Sequence, residues 1–330
     1  MSPAQSQIRP GNLVEIRTPH EILQTLDADG TLNRLPFMPE MVDLCGKRFR
    51  VAHRALKTCY YGESNGMRKF PVDDVLILEG VRCSGLDHDG CQKACMIFWR
   101  EAWLQSVGSD QASASRDVEQ RGKDELLRRL KTTQGQGKYF CQASEILNAT
   151  ADLSRWDRIS NCFAEVRAGN VGAAEMIGRV ASWLFWRIRR VLFGAYARGT
   201  NTRTPVASLQ LQPGEWVDVK SIGNISETLD PNAHNRGLYF TPDMRQVCGK
   251  RCQVERPLER IIVDGTGQMR KMHNTVYLKG GMCGCIYALG GCPRGEYSYW
   301  REIWLERADR SVDAKRRGQD ESVADPALTR

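Results

Sequence analysis

The sequence predicts an α+β protein in which two mainly-β domains of one kind, each an SH3-like barrel or curled sheet, flank a helical segment. Three observations lead there: an ordered internal repeat, alternating apolar residues within each copy, and helical apolar spacing between the copies.

The repeat sets the architecture. Cys45-Gly46-Lys47-Arg48 recurs as Cys248-Gly249-Lys250-Arg251, and Trp99-Arg100-Glu101-Ala102-Trp103-Leu104 as Trp300-Arg301-Glu302-Ile303-Trp304-Leu305. Between these anchors Phe37-Met38-Pro39-Glu40-Met41 answers Phe240-Thr241-Pro242-Asp243-Met244, and Met67-Arg68-Lys69 answers Met269-Arg270-Lys271. Matches kept in this order define a duplication, with β-repeats at 10–107 and 206–308.

Along the chain, residues 1–9 read as a tail. Val14 and Ile16 then alternate with polar neighbours, as do Phe49 and Val51, and Val75 to Val81 is a β-rich run closed by Gly80. His20 to Leu26 has helical spacing and stops before Asp29-Gly30, so a short helix follows the first strand. Trp99, Glu101 and Trp103 are expected on one side of a strand, with Arg100, Ala102 and Leu104 on the other. Residues 108–137 are polar and suit a solvated linker with one helix at Asp124 to Lys131. From 138 to 205 the period becomes helical, with Ser144 and Asp157 as N-caps and an apolar stripe at Ile177, Val180, Leu184, Ile188 and Val191. Residues 309–330 are charged and aperiodic, which predicts a disordered tail.

Composition narrows the class. The net charge of +8 permits weak attraction to nucleic acid or anionic lipid but does not require either. No P-loop, dinucleotide fingerprint, H-E-x-x-H, G-x-S-x-G elbow or kinase signature occurs. The most apolar stretch, Val180 to Ala197, is interrupted by Arg187, Arg189 and Arg190 and does not read as a spanning helix. Packing between the β-domains, with the arginines outward, is a simpler expectation for it than a membrane surface. Met1 to Gln7 lacks a secretory pattern, so the twelve cysteines are expected as ligands or buried thiols in a reducing cytoplasm.

Three cysteines coincide between the copies: Cys45 with Cys248, Cys83 with Cys283, and Cys91 with Cys292. Structural zinc takes four ligands, usually thiolates with or without imidazole. Cys95 completes the first set, with Cys59 or His88 as substitutes, and Cys285 the second, with Cys252 as a substitute. The expected metal ligands are therefore Cys45, Cys83, Cys91 and Cys95, and Cys248, Cys283, Cys285 and Cys292. Zinc is the expected metal and an iron–sulfur cluster the alternative, because Cys292-Pro293 matches the ending of some ferredoxin motifs. Cys59 and His88 belong to the first copy alone, so any catalysis is expected there, with Cys59, His88 and Glu101 as reactive groups.

The segments Cys45 to Val51, Gly90 to Cys95 and Phe98 to Leu104, with Cys292-Pro293-Arg294 and Tyr299 to Leu305, resemble those of an uncharacterised bacterial protein family with two cysteine-containing β-repeats. The resemblance spans both repeats and the helical middle. It implies a bacterial origin and specialised metabolism, some such proteins lying near biosynthetic or surface-polysaccharide genes, and carries over no activity. The expected function is a cytoplasmic, zinc-binding tandem-repeat protein acting as a binding or assembly module for a protein partner or biosynthetic enzyme. The alternatives are a metalloenzyme or iron–sulfur protein using the first cluster, and a nucleic-acid-binding protein using Lys47-Arg48, Lys250-Arg251 and similar pairs. The modest charge disfavours the last.

Overall fold

The computed structural model describes residues 8–61, 65–107 and 116–308. Most of the expected N-terminal tail, residues 1–7, the start of the expected linker, 108–115, and the C-terminal tail, 309–330, lie outside the described residues. The fold is mixed α+β and divides into two compact units. One is Met1–Gly194 with Leu258–His273 and Met282–Tyr297; the other is Ala195–Pro257, Asn274–Gly281 and Ser298–Arg330. The division departs from the repeat boundaries, since two pieces of the 206–308 stretch fold with the first unit.

In the first unit, β1 (Leu13–Ile16) buries Val14 and Ile16 completely, as its alternation predicts. Thr18 then caps α1 (Pro19–Leu23) in a capping box with Glu21, and Pro19 sits where a missing N–H costs nothing. There follow α2 (Pro39–Val42), β2 (Arg48–Arg54), β3 (Lys57–Tyr61), β4 (Asn65–Lys69), β5 (Val75–Arg82), β6 (Met96–Arg100) and β7 (Leu104–Ser106). An antiparallel sheet of order β6-β5-β2-β1-β7 forms. Register shifts between Val51 and His53 and between Ile77 and Arg82 bend its strands and curl the sheet. Beyond these strands come α3 (Arg116–Arg129), α4 (Ile146–Ala149), β8 (Ala151–Asp152), α5 (Arg155–Arg167) and α6 (Ala173–Phe193). The β3–β4 hairpin takes β8 as its third strand.

Two local expectations change. The Trp-Arg-Glu motif is not one strand: Glu101–Trp103 is a 3-10 turn between β6 and β7. Trp99 and Trp103 are consequently both buried, each edge-on to Phe37 with centroids 6.1 and 5.1 Å away. The stretch read as a solvated linker carries α3, whose Leu126 is fully buried in the first core. One apolar residue per two turns was too sparse a signal to show that face.

The second unit holds β9 (Trp216–Val219), α7 (Ile222–Ser226), β10 (Arg251–Pro257), β11 (Thr275–Leu278), β12 (Trp300–Arg301) and β13 (Leu305–Arg307). Its sheet runs β12-β11-β10-β9-β13, the same order as the first. Phe240 meets Trp300 and Trp304 edge-on at 6.4 and 5.4 Å. Trp304 Nε1 donates to Thr228 Oγ1 at 3.0 Å, and in the first unit Trp103 Nε1 donates to Thr25 Oγ1 at 3.0 Å. Among the described residues no helix is long and apolar enough to cross a membrane.

Candidate metal centres

Both candidate centres lie in the first unit, where two cysteine loops rest on two hairpins. The loop from Cys83 to Cys95 packs on the hairpin formed by Arg260–Ile262 and Met269–Lys271: Gln92 N donates to Arg260 O, and Ile262 N to Cys91 Sγ at 3.3 Å. The loop from Cys283 to Tyr297 packs instead on the β3–β4 hairpin, through Lys57 Nζ to Leu289 O at 2.7 Å and Arg294 Nη1 to Cys59 O at 2.8 Å. Each loop thus engages the hairpin from the other sequence copy. Both close alike, Cys83 N on Cys95 O and Cys283 N on Glu296 O. Gly85 is required in the first loop: its φ is +72°, and a Cβ there would lie 1.8 Å from the Cys91 carbonyl oxygen.

The first centre follows from this exchange. Ligand atoms of Cys59 on β3 and of Cys285 and Cys292 in the loop all lie within 4.8 Å of one another. Cys283 Sγ is 3.5 Å from Cys285 Sγ and 4.0 Å from the Tyr61 hydroxyl. Zn–S bonds of 2.3 Å in a tetrahedron place sulfurs about 3.8 Å apart, so Cys59, Cys285 and Cys292 have a spacing that suits a single ion, while Cys283 touches Cys285 but stands outside that group. Hydrogen bonds from Cys285 and Cys59 hold the Cys292 thiol well below the usual cysteine range, the direction that favours metal ligation. Cys283, Cys285 and Cys292 also line an open cavity of about 510 Å³, with Glu175, Arg179 and Ser182 of α6.

Beside this centre lies a buried ionic network. Arg294 pairs with Asp264 (Nη1–Oδ2 2.7 Å) and Glu296 (Nε–Oε1 2.9 Å), and Lys93 with Asp264 and Glu296. Burial disfavours the Asp264 carboxylate, but Arg294 and Lys93 outweigh it and hold it at about 2. Two cations face two carboxylates, so each buried charge has an opposite partner.

The second centre groups Glu40 of α2 with Cys83 and His88, whose ligand atoms lie within 4.8 Å of one another. Cys83 Sγ is 2.9 Å and His88 Nδ1 3.8 Å from Glu40 Oε1. His88 Nε2 is 3.1 Å from the Phe140 carbonyl, which can only accept, so in the neutral ring Nε2 carries the proton and Nδ1 the lone pair. Glu40 Oε2 and His88 Nδ1 are buried without a hydrogen-bond partner. Burial, then the Glu40 carboxylate, pushes the Cys83 thiol well up. Cys83 and His88 border a cavity of about 20 Å³ with Cys91, Cys95 and Cys141. That space admits a water or an ion and no organic substrate.

The other expected residues are placed elsewhere. Cys45 Sγ points to Met41 O at 4.0 Å and Cys248 Sγ to Met244 O at 3.7 Å, and neither belongs to a candidate group. Their recurrence reflects the same local packing. Cys91 and Cys95 border the small cavity without joining the Glu40 group, and Cys252 lies on β10. Glu101 pairs with the buried Arg54, and Glu302 accepts from the backbone N–H groups of Leu209, Gln210 and Leu211. These are anchoring roles. One participant was missed from sequence, Glu40; an acid at both Glu40 and its counterpart Asp243 was the available signal. The chain matches no family model, no curated protein and no solved structure.

Proposed function

We propose that the chain is a zinc-binding protein, built by duplication of an SH3-like unit, that acts as a binding or assembly module in a bacterial cytoplasm. Cys59, Cys285 and Cys292 hold one zinc ion, with Cys283, beside Cys285, turning in as the fourth ligand. Glu40, Cys83 and His88 hold a second metal. The observation that carries this reading is the position of Cys285, 3.5 Å from the Cys283 sulfur and grouped within 4.8 Å with Cys59 and Cys292. The spacing favours zinc over an iron–sulfur cluster, because a cage of several irons spreads its thiolates further than one ion does. With Cys283 as fourth ligand the set is closed and leaves no position for substrate, which makes the role structural: it fixes the loop after Met282 to β3. The equal strand order of the two sheets and their repeated Phe-Trp-Trp packing support the duplication.

An enzyme is the second reading. It rests on the cavity of about 510 Å³, where three of the four cysteines meet Glu175 and Arg179. Metal analysis and a visible spectrum of protein purified without oxygen separate the two. Two equivalents of zinc and no colour are expected. Iron with sulfide would move the assignment to redox chemistry, and absence of stoichiometric metal would overturn both.

A further inference from the structure

The helices α5 and α6 pack on each other and on the rest of the first unit through one side only. Cys162, Val171 and Met176 form a small core with Val166, Val180 and Leu289, and Trp183 Nε1 donates to Tyr287 O at 3.2 Å. The opposite side is apolar and open. On α6, Ile177 is 70% and Val191 80% exposed, and Leu184, Phe185, Ile188 and Leu192 are exposed with them. At about 100° per residue these six positions fall in one stripe roughly 120° wide. On α5, Trp156 and Phe163 are 81% and 75% exposed, with Ile159 between them. Isolated exposed apolar residues are ordinary, but an apolar stripe along one helix with a second on its neighbour marks a surface that binds something.

Charge indicates what. From residue 155 to residue 193 the sequence has seven arginines against three acidic residues, and after Glu175 no acid at all. On the helical wheel Arg187 and Arg189 flank the stripe on its two sides. Apolar residues in the middle and arginines at both edges is the pattern of a helix lying in a membrane interface, its apolar side among acyl chains and its guanidinium groups at the phosphates. A second copy of this chain would bring arginine-rich edges together, which disfavours it.

We propose that the α5–α6 hairpin docks the protein on an anionic lipid surface, lying on the bilayer without crossing it. The metal centres are not required for this.

Vesicle flotation of the full chain tests it, with phosphatidylcholine alone compared with phosphatidylcholine mixed with phosphatidylglycerol. Binding is expected on the mixed vesicles, weakening as salt screens the charges. Replacing Arg187 by Ser should weaken it about fivefold, and Leu184→Glu with Ile188→Glu by at least about tenfold. All three positions are exposed, so the fold is retained and a thermal melt verifies it. Absence of binding to mixed vesicles, or equal binding to both kinds, overturns the proposal. A concentration-dependent dimer abolished by the two Glu substitutions, with no vesicle binding, assigns the stripe to a second copy and likewise overturns it.

Discussion

His88 turns an Nδ1 lone pair toward the Glu40 carboxylate 3.8 Å away, because its other ring nitrogen is engaged by the Phe140 carbonyl. Two acceptors facing each other in a buried place repel unless a cation lies between them. The Cys83 thiol beside them completes a mixed donor set suited to zinc. Glu40→Gln and His88→Gln should each remove one metal equivalent per chain and leave the other, read by plasma emission. Loss of both metals, or of neither, would sink the assignment of two independent sites.

The thiol centre joins Cys59 of β3 to a distant loop, so a metal held there would contribute directly to folding. Stripping with a strong chelator should lower the melting temperature by about 10 °C or more. Cys285→Ser should reproduce most of that loss without chelator. A variant that melts like the parent and keeps two zinc equivalents would exclude Cys285 as a ligand.

Removing one partner from the Asp264 network leaves buried charges unmatched. Asp264→Ala should therefore cost about 3–5 kcal/mol in urea unfolding.

The same network governs acid sensitivity. Asp264 is held at about 2 in the folded chain against an ordinary 3.8. The folded value is the lower one, so its stabilisation is complete above about 3.8 and disappears as the pH falls toward 2. Glu296 is shifted upward by burial and acts in the opposite sense, weakening the neutral-pH state slightly. Asp264→Asn should flatten the fall in stability between pH 4 and 2, followed by far-UV circular dichroism. An unchanged acid limb would show that other carboxylates control it.

Helix α3 offers a plain test of the fold. Leu126→Ala should cost about 2–5 kcal/mol, whereas the same change in a solvated linker would cost almost nothing.

Local features were legible in the sequence. Val14 and Ile16 alternate into the core, and Thr18-Pro19-His20-Glu21 spells a capped helix start. Cys83, Cys283 and Cys292 stood out because thiols recur there, and Cys285 as the nearest thiol to complete the second set. What could not be read was which hairpin each loop rests on. Sequence proximity grouped Cys59 with Cys83 and Cys91, but the chain places it with Cys285 and Cys292. No periodicity encodes a pairing between residues so far apart. Cys45 and Cys248 misled for the opposite reason: their sulfurs turn to the carbonyl four residues earlier, so recurrence recorded packing.

The exchanged loops impose a schedule on synthesis. At ribosomal rates of about 5–20 residues per second, roughly 10–45 s pass between the emergence of Cys59 and that of Cys285. Throughout that interval the β3–β4 hairpin lacks the loop that covers it, and for most of it, until residue 262 emerges, the loop at Cys83 to Cys95 lacks the strand that receives it. The nascent chain is thus open to chaperones and to stray metal until its second half has left the tunnel, and a fragment ending before Leu258 never acquires either covering.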